Sequence, residues 1–132
     1  MKTKNILIAI FILLANLIYS QSNVEYKYIT TSTDGTDYYG YIEKVATNGT
    51  TDIWVKSKIP LKDLEGKKIK GGGKTTLMLV RIECLNREFD NLETIIYDKS
   101  EKIISDVKNF SFDNRIVPGS VMSGIYDFVC GA

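Results

Sequence analysis

A chain of 132 residues carrying 17 basic and 16 acidic side chains and no histidine is long enough for one domain with a core and too short for two. Its near-neutral balance argues against nucleic acid as a partner. The lack of histidine excludes Ser-His-Asp and Cys-His catalytic sets and histidine-ligated metal sites.

Residues 1–20 differ in character from the rest. Met1-Lys2-Thr3-Lys4 is a short positive segment, Ile6 to Ile18 is a nearly unbroken apolar run, and Tyr19-Ser20-Gln21 offers a small residue for cleavage after Ser20. This is the pattern of a secretory signal peptide. A retained anchor would want about 20 apolar residues to cross the hydrocarbon, more than this run holds, and no cysteine follows it to carry a lipid. Cleavage is expected to leave residues 21–132 as a single domain without a transmembrane segment. It also removes Lys2 and Lys4, so that 15 basic residues face 16 acidic ones.

Val24 to Thr31 alternates apolar with polar residues and is rich in tyrosine and threonine, as a half-exposed strand should be. Ser32-Thr33-Asp34-Gly35 supplies a turn into a second strand, Tyr38 to Val45. Asn48-Gly49 is a hairpin signal leading to a third strand, Thr51 to Ile59, which Pro60 ends. From Leu61 to Lys74 the chain is rich in lysine, with glycine at 71, 72 and 73; it is expected to be a mobile surface loop, with one helical turn at Leu61 to Glu65. Thr75 resumes the sheet, and the run to Cys84 places Met78, Val80, Ile82 and Cys84 on one face. Leu85-Asn86-Arg87 fits a reversal into Phe89 to Tyr97. Asp98-Lys99-Ser100-Glu101 fits the next, into Lys102 to Val107. Phe110 and Phe112 are expected to tuck under the sheet edge.

Pro118 and Gly119 break the preceding strand and Ser120 can cap a helix. Val121, Met122, Ile125, Tyr126 and Val129 then recur at three- and four-residue intervals, the spacing of one apolar helical face. Cys130 follows Tyr126 by one further step and points the same way. Cys84 and Cys130 both lie in the exported part, which favours a disulfide over a metal site, a redox pair or two free thiols. Closing a loop of about 47 residues would remove on the order of 4 kcal/mol of unfolded-chain entropy. The expected class is α+β: a single antiparallel sheet of five or six strands, with a C-terminal helix packed on one face and tied by that disulfide.

Motifs that carry chemistry are few. Gly71-Gly72-Gly73-Lys74-Thr75 looks like the second half of a phosphate-binding loop, but Lys68 stands where the first glycine is needed and a strand follows where a helix is required. What remains is a patch of Lys62, Lys67, Lys68, Lys70 and Lys74 able to attract an anion such as a sulfated glycan, lipopolysaccharide or another acidic surface, set against a plain solvated loop. Asp34 with Asp37 and Glu88 with Asp90 are the nearest approach to paired acid-base carboxylates, yet both pairs fall in turns or at strand edges. Asp34-Gly35-Thr36-Asp37 lacks the regular oxygen spacing of a calcium loop. Asn48-Gly49-Thr50 matches a glycosylation acceptor on paper, and the hairpin accounts for it as well. Tyrosines 26, 28, 38, 39, 41, 97 and 126, with Trp54, serve mainly strand packing, and some can form a contact face. No catalytic residue, cofactor site or metal site is expected.

Several of these elements together resemble the surface-adhesin protein E family of small exported bacterial domains. They are Tyr39 to Ile42, Ile53-Trp54-Val55-Lys56 with Pro60 after it, Ile82-Glu83-Cys84-Leu85-Asn86-Arg87, Ile95-Ile96-Tyr97-Asp98, and Ile116-Val117-Pro118-Gly119-Ser120 leading to Val129-Cys130. The resemblance implies an antiparallel sheet with a C-terminal helix held by Cys84 to Cys130, a place in the periplasm or at the cell surface, and a capacity to form a homodimer through the sheet. For the named adhesins it also implies attachment to host extracellular proteins. Haem capture, associated with the family, does not carry over, because no histidine is present to serve as axial ligand. The expected function is that of an exported, non-enzymatic binding domain for a protein or glycan at the envelope or the host matrix. The alternative is an inhibitor or immunity-type protein that blocks a secreted or cell-wall enzyme.

Overall fold

The computed structural model describes residues 24–108 and 114–131; the expected signal peptide and the placement of Phe110 and Phe112 lie outside the described residues. Strands β1 (Lys27–Thr31), β2 (Asp37–Val45), β3 (Thr50–Lys58), β4 (Thr75–Glu83), β5 (Glu88–Tyr97) and β6 (Ile103–Val107) are followed by a two-residue strand β7 (Asn114–Arg115) and a helix α1 (Val121–Cys130). The first six pair in chain order, each antiparallel to its neighbour, and β7 pairs with the start of β5. One ten-residue helix accompanies this sheet, so the described fold is mostly sheet and α+β fits it only loosely.

Alternation along the strands decides what is buried. In β3, Thr51, Ile53, Val55 and Ser57 are buried while the residues between them are not. Ile53 lies opposite Val80, and Val55 opposite Met78. Ile53, Val55, Val80 and Ile82 are fully buried and meet Ile125, the buried residue of α1. The register of β1 on β2 shifts between Tyr28 and Thr30, so Ile29 and Thr30 in succession serve the helix side. Ile29 then fills the space over Gly40, where an added Cβ would stand 2.6 Å from Ile29 Cδ1 and 2.8 Å from Ile53 Cδ1. Thr30 receives the helix at its closest approach, where a Cβ on Gly124 would stand 3.1 Å from Thr30 Cγ2.

Both ends of α1 are capped, the amino end by Ser120 as expected. Ser120 Oγ accepts a hydrogen bond from Ser123 N at 3.2 Å, satisfying one of the helix's unpaired donors. Gly131 takes a left-handed conformation, φ 65°, and returns its N–H to Asp127 O. The carboxyl end is anchored to the β4–β5 turn by three contacts. Cys84 and Cys130 form a disulfide with their Cα atoms 5.7 Å apart, Tyr126 OH donates to Cys84 O at 2.8 Å, and the Arg87 guanidinium sits 4.3 Å from the Tyr126 ring centroid.

The segment expected to be a mobile loop with a helical turn is instead a hydrogen-bonded hairpin that extends β3 and β4. Ile59 N donates to Lys74 O, Gly73 N to Ile59 O, Ile69 N to Leu61 O and Asp63 N to Lys67 O. At its tip the Asp63 carboxylate accepts from Glu65 N and Lys67 N. An aspartate that binds the backbone two and four residues on competes with a helical turn, and Gly66, at φ 83°, completes the reversal. The two legs meet at Gly72, where a Cβ would lie 2.7 Å from Pro60 O and 3.0 Å from Leu61 Cα. Since those atoms are backbone, Gly72→Ala is expected to push the legs apart at a cost of about 1–3 kcal/mol. Faster amide exchange at Ile69 and Gly73 checks this, and unchanged exchange there would contradict it.

Candidate functional site

Residues directly opposite one another on paired strands share a face, so the side of the sheet away from α1 can be read across the register. One row runs Tyr28, Tyr39, Lys56, Leu77, Ile95. The next runs Tyr41, Trp54, Leu79, Glu93, and Tyr26, just before β1, stacks against Tyr41 with centroids 6.1 Å apart. Tyr28 and Tyr39 meet edge to face at 5.9 Å and are 56% and 37% exposed. The helix lies on the opposite side and leaves this apolar, ring-rich face open.

Lys56 extends along the face until its Nζ lies 5.7 Å from the centre of the Tyr26 ring. Burial pushes the Tyr26 phenol above its ordinary pKa, with Tyr97, Tyr41 and Glu43 acting in the same sense. Where the face meets the base of the 59–74 hairpin, a cleft of 560 Å³ opens between Tyr26, Tyr39, Lys56, Lys58, Pro60 and Leu61. Aromatic walls with Lys56, Lys58 and the Asp37 carboxylate, which also lines the cleft, recognise a partner by stacking, apolar contact and charge.

Lys62, Lys67, Lys68, Lys70 and Lys74 are all exposed and are brought together on the hairpin. Lys62 and Lys68 form a bridge pair directly across from each other, and like charges so placed oppose the pairing. Cys84 and Cys130 join, as described. The carboxylate pairs divide into separate structural duties. Asp34 accepts hydrogen bonds from Ser32 Oγ and Thr36 N, and the first of these holds its carboxyl below its ordinary pKa. Asp37 accepts from Thr31 Oγ1 at 2.6 Å. Glu88 faces Glu83 across the strands, and Asp90 faces Arg81, which also grips Asp52 at 2.8 and 3.0 Å. Among the described residues no group of three or more acidic or cysteine side chains is placed to hold a metal ion, and no helix is long and apolar enough to cross a membrane.

Residue types alone undervalued two features of this site. The tyrosines were visible, but not that 26, 28, 39 and 41 share one side while Tyr38 packs with the core; their parity within each strand was the available signal. Lys56 and Lys58 stand at the end of β3, apart from the lysine-rich stretch, and the structure places both at the cleft. Comparisons with protein-family models, with curated proteins and with solved structures find no match to this chain.

Proposed function

We propose that this chain is an exported, non-enzymatic binding domain, similar in kind to the surface-adhesin protein E family, that contacts a protein or glycan ligand at the cell envelope or surface. The observation that carries the reading is the open sheet face, where Tyr26, Tyr28, Tyr39, Tyr41 and Trp54 lie beside Lys56 on a rigid antiparallel scaffold. Tyrosine and tryptophan offer large contact area at small cost in side-chain entropy, which is why they anchor interfaces. Export is supported by the leader-like amino terminus and by a disulfide that persists in oxidising compartments.

Immobilised extracellular-matrix proteins and an array of glycans are the direct test. Saturable binding is expected, and Tyr28→Ala with Tyr39→Ala should weaken it by about 30-fold or more, since interface anchors cost upward of about 2 kcal/mol on truncation. Both rings are substantially exposed, so the doubly substituted domain should fold. Binding that ignores the substitutions would remove the sheet face as the contact surface. Stoichiometric capture of one secreted enzyme, with loss of that enzyme's activity, would replace the adhesive reading with that of an inhibitor.

A further inference from the structure

The 59–74 hairpin carries a combination that the sheet-face reading does not use. Leu64 stands at its tip with 96% of its surface exposed, more than any other large apolar residue among those described, and Leu61 nearer the base is 62% exposed. Turn tips ordinarily hold polar residues. Leu64 is not there through looseness, because the turn beneath it is closed by Asp63 N to Lys67 O, by Gly66 N to Asp63 O and by both bonds of the Asp63 carboxylate. A well-formed turn therefore holds a leucine out into solvent.

Around that leucine the charge is one-sided. Lys62, Lys67, Lys68, Lys70 and Lys74 are exposed along the hairpin from near its tip to its base, and Lys99 of the β5–β6 turn packs against Gly73 at that base. Against them stand Glu65 and Asp63, and the Asp63 carboxylate is already engaged by two backbone donors. Lys62 and Lys68 are held directly opposite each other, an arrangement that an anion lying against the pair would relieve.

We propose that this hairpin docks on an anionic lipid surface, with Leu64 entering the boundary between headgroups and acyl chains while the lysines pair with lipid phosphates. One apolar side chain gives only weak attachment and a basic patch alone is screened by salt, but the two signals together suffice for reversible binding. A soluble acidic polymer would use the lysines and leave Leu64 without a role. The leucine at the apex is what selects a bilayer.

Protein recovered from cells is to be sedimented with vesicles of phosphatidylcholine alone and with vesicles of phosphatidylcholine mixed with phosphatidylglycerol. The expected result is a preference for the anionic vesicles that falls as salt is raised; because Lys2 and Lys4 beside the apolar amino-terminal run also favour anionic lipid, the hairpin's share is read from the substitutions below against the unsubstituted chain. Lys67→Gln with Lys68→Gln should lower binding to anionic vesicles about 30-fold, each lysine near such a surface contributing about one kcal/mol. Leu64→Ser should lower it by on the order of 10-fold or more while leaving retention on heparin unchanged. Equal binding to both kinds of vesicle overturns the proposal. So does anionic binding that is indifferent to Leu64→Ser, which would mark the patch as a site for acidic polymers. Neither outcome bears on ligand binding at Tyr28 and Tyr39, whose substitution is expected to leave vesicle binding intact.

Discussion

Replacing Cys84 and Cys130 together with alanine is expected to lower the unfolding free energy by about 4 kcal/mol, the chain entropy regained when a loop of this length is opened. The bridge spans a sequence separation of 46 residues, from the end of β4 to the last turn of α1. A loss of this size is comparable with the whole stability of many small domains, commonly about 5–15 kcal/mol. The hydrogen bond from Tyr126 OH to Cys84 O and the Arg87 contact with the Tyr126 ring remain in the substituted protein. The helix therefore still docks under mild conditions, and the change appears as a lower urea midpoint rather than a lost fold. A midpoint that does not move would mean that the unfolded chain is already compact enough for the bridge to remove little entropy from it.

The second large effect is expected at Ile125. It is the buried residue of α1, and it closes the cluster formed by Ile53, Val55, Val80 and Ile82 from β3 and β4. Ile125→Ala removes three carbons from a fully enclosed site and leaves a cavity that the stiff sheet beneath cannot collapse into, at a cost of about 2–5 kcal/mol. Urea unfolding with the disulfide intact measures it. Because Cys130 and Ile125 restrain the same helix, the triple variant should lose less or more than the sum of the separate losses, and the difference reports their coupling. A cost under about 1 kcal/mol for Ile125→Ala alone would show that the helix is not what seals this face of the sheet.

The strands were legible because their pattern has a period of two and their turns carry glycine, asparagine and aspartate at the reversals. Met78, Val80, Ile82 and Cys84 do share the helix side, as their spacing predicts. The helix was legible for a similar reason, its apolar interval of three and four being preceded by Pro118, Gly119 and the cap Ser120. The misread stretch, 61–74, shows where such patterns lose force. Its lysines and glycines resemble a solvated loop in composition, and its order comes from backbone bonds between the two legs of the hairpin, from Asp63 N to Lys67 O at the tip to Ile59 N to Lys74 O at the base. The expected turn of helix at Leu61 to Glu65 gave way to the Asp63 carboxylate, which captures the donors that a helix would have used.

By itself the sequence determined the antiparallel strands in their order, the closing helix and the two cysteines that meet, because each is written in local periodicity, turn chemistry or a count. The tertiary structure alone decided which side of the sheet the β1 residues after Tyr28 face. The register shift between Tyr28 and Thr30 changes parity by one residue, and no local pattern records such a shift. It also decided that five aromatic side chains from β1, β2 and β3 and the segment before β1 gather on the side that α1 leaves open, and that Leu64 is held out at the tip of a bonded hairpin. Both depend on which strands lie beside which, a matter of long-range pairing energy that short stretches of chain do not contain.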